Sequence, residues 1–119
     1  MKKTLVLGAS LKPQRYSNLA VNRLLDNGIE TEAFGLREGK IRDVKIRTDF
    51  QDFQDIDTIT LYIGADHQSE YIDTILALEP ERVIFNPGTE NPEFYDILKE
   101  NGIEVEIACT LVLLGMGQY

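Results

Sequence analysis

One cysteine, one histidine and the lack of any long apolar run narrow the reading of this 119-residue chain before any motif is found. A single cysteine cannot form an internal disulfide, which agrees with a reducing compartment. His67 stands beside Asp66 with no second histidine or cysteine at ligand spacing, so no zinc site is expected and His67 reads as a surface or capping residue. There is no signal-peptide pattern and no stretch near membrane-spanning length, so the expectation is a cytoplasmic protein with no membrane partner. Paired carboxylates, a Ser-His-Asp order and a nucleophile elbow are all missing, which leaves hydrolysis unsupported. Also missing is GxGxxG, the fingerprint of nicotinamide and flavin enzymes.

Basic residues are scarce overall but concentrated. The net charge is -8, against the basic surplus usual for a nucleic-acid binder. Residues 1–47 hold ten of the twelve Lys and Arg against five acids, and residues 48–119 hold two against fifteen, giving +5 and -13. An anionic small molecule is therefore expected on the first half, although a solvated acidic face with chance clustering gives the same sums. Hydrophobic content of 43% and charged content of 27% suit one globular domain over 1–119.

What is present is concentrated in residues 5–18. A short apolar run, Leu5-Val6-Leu7, breaks at Gly8 into the polar turn Ala9-Ser10-Leu11-Lys12-Pro13-Gln14-Arg15, and a helix is expected to follow. The run lacks polar alternation, as a strand buried on both faces does. Gly8 permits a tight turn and close approach to a ligand. Ser17 is the expected N-cap of a helix carrying Val21, Leu24 and Leu25 and stopping at Asn27-Gly28. The first amides of such a helix attract an anion, and Lys12 and Arg15 stand beside them. A plain strand, turn and helix with surface cations is the other reading.

Further strands are expected at 29–34, 58–64, 82–85 and 105–109. Residues 37–47 suggest a small exposed hairpin or loop, and 49–55 a helical turn with Phe50 and Phe53 inward. Helices are expected after Asp66 as a cap, after Asn91 with Pro92 at the first position, and as a short apolar helix or extension at 111–116. The sequence Asn-Gly-Ile-Glu occurs at 27–30 and again at 101–104, marking two equivalent helix-to-strand joints. The expected fold class is α/β: a Rossmann-like three-layer sandwich around a five-stranded, mostly parallel sheet. Ligands of such sheets bind beyond the carboxyl ends of the strands. Here those ends are Gly8-Ala9-Ser10, Phe34-Gly35, Tyr62-Ile63-Gly64, Asn86-Pro87-Gly88 and Cys109.

With these residues in view, the chain resembles the small coenzyme A-binding domain proteins, relatives of the nucleotide-binding domain in the α subunit of succinyl-CoA synthetase. The likeness rests on Leu7-Gly8-Ala9-Ser10, Lys12-Pro13 and Arg15-Tyr16-Ser17, with weaker support from the basic loop after Phe34, the turn at 86–88 and Cys109. It implies coenzyme A as cofactor, bound across the strand-end loops. By position, Gly8, Ala9, Ser10, Lys12 and Arg15 hold phosphates, flanked by Pro13, Tyr16 and Ser17. Gly35 with Arg37 or Lys40 borders the adenosine end. Asn86, Pro87 and Gly88 line the pantetheine path, with Ile63, Gly64 and Cys109 alongside. The turn at 86–91 differs from the glutamine- and leucine-rich form of the family. The phosphorylated histidine of the synthetase belongs to a second domain without counterpart in these residues, so ligase activity is not implied.

The expected function is non-enzymatic binding of coenzyme A or an acyl-CoA. Two alternatives stay open: a thiol or acyl-transfer enzyme using Cys109, and a sensor of another adenine nucleotide such as NAD. Cys109 itself reads either as a buried core side chain or as a thiol at the groove.

Overall fold

Consecutive apolar residues with no polar partner need cover on both sides, and the central strand is built from them. In the computed structural model, which describes residues 2–50 and 52–119, β1 (Lys3–Leu7) buries Leu5, Val6 and Leu7 completely. It pairs in parallel with β2 (Glu30–Phe34) on one side and β5 (Ile56–Leu61) on the other. β6 (Arg82–Phe85) and β7 (Glu104–Ile107) extend the sheet in parallel beyond β5.

The sheet has seven strands and is mixed, where five and mostly parallel were expected. The segment read as an exposed hairpin or loop is β3 (Gly39–Ile41) and β4 (Val44–Arg47), giving the order β3-β4-β2-β1-β5-β6-β7. β4 joins β2 in parallel through Ala33↔Ile46 and Phe34↔Arg47, and β3 runs antiparallel to β4. The physical reason is burial: Ile41, Val44 and Ile46 turn one apolar edge of the hairpin into the core beside Val6 and Ala33. Arg42 at its tip pairs with Asp26 at 2.7 Å and ties the hairpin to the first helix.

Helices cover both faces. α2 (Ile72–Leu78) and α3 (Pro92–Glu100) lie over Leu5, Leu7, Ile59, Leu61, Val83 and Phe85, while α1 (Tyr16–Asp26) and α4 (Thr110–Gly115) lie over the opposite face. The repeated Asn-Gly-Ile joints end α1 and α3 in the same way. Ile29 N–H donates to Leu24 O and Ile103 N–H to Leu98 O, both at 3.0 Å, with the intervening glycines left-handed.

Three local expectations are corrected. Ser17 is not the N-cap of α1: Arg15 is, without a side-chain cap, and Ser17 is buried inside the first turn. Asp66 does not cap an α-helix but lies in the first turn of a 3₁₀ segment, Ala65–Tyr71, that leads into α2. At 49–55 the described residues form bends and a turn in place of a helical turn; Gln51 lies outside the description. Phe50 and Phe53 do face inward, Phe50 stacking on Phe34 at 4.0 Å between centroids. Asn91 caps α3 as expected, its Oδ1 accepting from Phe94 N–H at 3.4 Å, with Pro92 following.

Candidate functional site

The chain leaves β1 to one side for β2 and later returns to the other side for β5, so the carboxyl end of β1 is the switch point of the sheet. Two glycines make that end close. Gly8 has φ +106°, and a Cβ there would meet the backbone of Tyr62 at 3.1 Å. A Cβ on Gly35 would come within 2.4 Å of Ala9 O, so only glycine lets the two loops touch. Gly8 and Ala9 both donate backbone N–H groups to Phe34 O, at 2.9 and 2.8 Å.

The turn after Gly8 is held from inside. Asn18 Nδ2 donates to Ser10 O at 2.9 Å, Lys12 N–H donates to Ser10 Oγ at 3.2 Å, and Arg15 N–H to Lys12 O at 3.1 Å. This turn delivers the chain to the start of α1, where no side chain caps the helix and no acid occupies the first turn. Lys12 and Arg15 are exposed there, and neither is in an ion pair among the described residues. Three other basic residues of this half are in ion pairs: Lys3 with Glu30, Arg42 with Asp26 and Arg47 with Asp52. The uncapped start of α1 and the exposed Lys12 and Arg15 belong to one turn, and a helix start flanked by cations has the electrostatics an anionic group favours.

Around it, Arg37 and Lys40 are exposed on the loop and strand that follow Gly35. Three exposed apolar side chains share this end: Leu11 at 45%, Tyr16 at 71% and Leu36 at 87% exposure. Sequence reasoning placed Tyr16 but passed over Leu11 and Leu36; a leucine in an otherwise polar turn was the available signal.

On the other side of Gly8, Ile63 is half-buried and Gly64, Pro87 and Gly88 are exposed. Asn86 behaves differently from a groove residue. It is 1% exposed, its Nδ2 donates to Thr60 Oγ1 at 2.7 Å and Leu61 O at 2.9 Å, and its Oδ1 accepts from Thr110 N–H at 2.9 Å. Its side chain is a bolt joining β5, β6 and α4. Cys109 is half-buried as the N-cap residue of α4 and neighbours Tyr62. The Tyr62 hydroxyl is buried without a hydrogen-bond partner of ordinary geometry, and burial pushes its pKa from 10.0 up to about 12. The nearby Thr60 and Thr110 hydroxyls offset that rise only in part.

Among the described residues no group of three or more His, Cys, Asp or Glu is arranged to hold a metal ion, and no helix is long and apolar enough to cross a membrane. The architecture is thus an α/β fold around a mixed seven-stranded sheet. The chain belongs to the coenzyme A-binding domain family, whose model matches residues 2–115. A crystal structure of an uncharacterized protein is 46% identical, with a TM-score of 0.96 over 100% of this chain and 98% of that one. A Thermus thermophilus protein, cell-free ID.343, is similar in fold at 22% identity and a TM-score of 0.87, over 99% of this chain and 90% of its own. A hypothetical protein from Pyrococcus horikoshii OT3 is similar in fold at 24% identity and a TM-score of 0.84, over 93% and 80%. No curated protein matches the chain.

Proposed function

We propose that the protein binds coenzyme A or an acyl derivative at the carboxyl ends of β1, β2, β5 and β6, without turning it over. The observation that carries this reading is the start of α1: uncapped by any side chain, free of acids in its first turn, and entered through a glycine turn that bears Lys12 and Arg15. In this reading the diphosphate lies against Gly8, Ala9, Ser10 and the first amides of α1. Arg37 or Lys40 meets the 3'-phosphate near Gly35, and Leu11, Tyr16 and Leu36 offer apolar surface to the adenine.

The pantetheine arm then runs past Ile63, Gly64, Pro87 and Gly88 toward Cys109. Because the Asn86 side chain is fully engaged inside, the chain offers the arm mainly backbone at this turn. Binding without turnover is supported by the surroundings of Cys109: its neighbour Tyr62 keeps its proton to about pH 12, so that phenol is no base for a thiol at neutral pH.

Calorimetric titration with coenzyme A, 3'-dephospho-coenzyme A, NAD and ATP tests the assignment. Coenzyme A should bind tightest and the dephospho form more weakly. Heat with NAD and none with either coenzyme A form would sink it. Incubation with an acyl-CoA and thiol acceptors should give no turnover; product that depends on Cys109 would move the protein to the transfer enzymes.

A further inference from the structure

Gln68 lies in the 3₁₀ segment after β5, is 1% exposed, and spends its whole amide on two loops. Its Nε2 donates to Ile63 O at 2.9 Å and to Thr89 O at 2.7 Å, and its Oε1 accepts from Asn91 Nδ2 at 2.9 Å. Asn91 in turn caps α3. One side chain therefore joins the loop after β5, the loop after β6 and the start of a helix. A buried amide with every group satisfied is costly to disturb, because each abandoned partner stays dry and unpaired.

We infer that Gln68 is the positioning residue that fixes the gap between these two loops, and so sets affinity for the pantetheine-bearing part of the ligand. This rests on the binding function proposed above. The Gln68 bonds run to Ile63, Thr89 and Asn91, and the bonds that shape the phosphate turn run among Ser10, Lys12, Arg15 and Asn18. The two ends thus have separate hydrogen-bonded supports and touch where Ile63 and Tyr62 lie against Gly8. Loops no longer clamped must be ordered by the ligand itself, and that ordering subtracts from affinity only where the ligand reaches them.

The test titrates wild type, Gln68→Ala and Asn91→Asp with coenzyme A and with 3'-phospho-ADP, which is coenzyme A without its pantetheine arm. Asn91→Asp keeps an oxygen to cap α3 but loses the donor to Gln68, so it probes the same clamp in a milder way. Each variant is titrated at a temperature where circular dichroism finds it folded. Gln68→Ala should weaken coenzyme A about tenfold and Asn91→Asp less, while 3'-phospho-ADP stays within about twofold of wild type. Equal losses for both ligands, or unchanged coenzyme A affinity in both variants, would overturn the inference and leave the binding function standing. A wild type that binds neither ligand would overturn both.

Discussion

At Tyr62 burial outweighs the partial help of the Thr60 and Thr110 hydroxyls, neither of which reaches ordinary hydrogen-bond geometry. The hydroxyl gains little from its surroundings in the folded state, so Tyr62→Phe should leave stability at pH 7 unchanged or raise it by up to about 1 kcal/mol in urea denaturation. The alkaline limb should change more. The phenol pKa is raised from 10.0 to about 12 by folding, so the unfolded chain ionises first. Its contribution to stability is full below pH 10 and lost as pH rises toward 12. Wild type should lose stability across this window more steeply than Tyr62→Phe. Burial raises Tyr119 and Tyr71 as well, so the variant keeps part of the decline and the readout is the difference between the two curves. Parallel curves would mean that the Tyr62 hydroxyl is hydrated in the folded state.

Among the elements, the link from β5 and β6 to α4 hangs on Asn86. Asn86→Ala removes the bonds to Leu61 O and the Thr110 N–H and leaves Thr60 Oγ1 with only the Thr110 hydroxyl, and should cost about 3 kcal/mol in urea denaturation, with α4 the first segment to lose amide-exchange protection. A loss near zero would mean that water replaces the side chain. Five of the strands, β1, β2, β5, β6 and β7, were legible in the sequence, the clearest of them, β1 and β6, as short apolar runs closed by a turn signal. The glycine turn at 8–15 was legible for the same reason: its chemistry is local. The hairpin's place in the sheet was not, since β4 meets β2 through two residue pairs that only the tertiary fold brings together. The duties of Asn86 and Gln68 were equally hidden. Their partners stand 26 and 21 residues away, and a lone amide in a polar stretch carries no periodicity. Ser17 failed as a cap because α1 begins one residue earlier, at Tyr16, which put Ser17 inside the helix.

Over the whole molecule, the charge division seen in the sequence has a structural counterpart. Arg82, one of the two basic residues after position 47, is spent on Glu106 at 2.7 Å and stacks over Tyr119, while Lys12 and Arg15 stay available at the switch point. Lys12→Ala or Arg15→Ala should each weaken coenzyme A binding by about 1 kcal/mol or more without lowering the thermal midpoint. Added salt should weaken binding less than in a basic protein, because it also screens the long-range repulsion from a net charge of -8, with a Debye length of about 8 Å at physiological ionic strength. Titrations at two salt concentrations check both points, and equal affinity in wild type and both variants would remove this loop from the site. The rims of the sheet carry a different consequence. β3 is three residues long with Lys40 at its centre, and β7 is four residues long with Glu104 and Glu106. Edges so short and charged give an incoming chain few free backbone groups to template on, so the hairpin also guards the molecule against fibril growth.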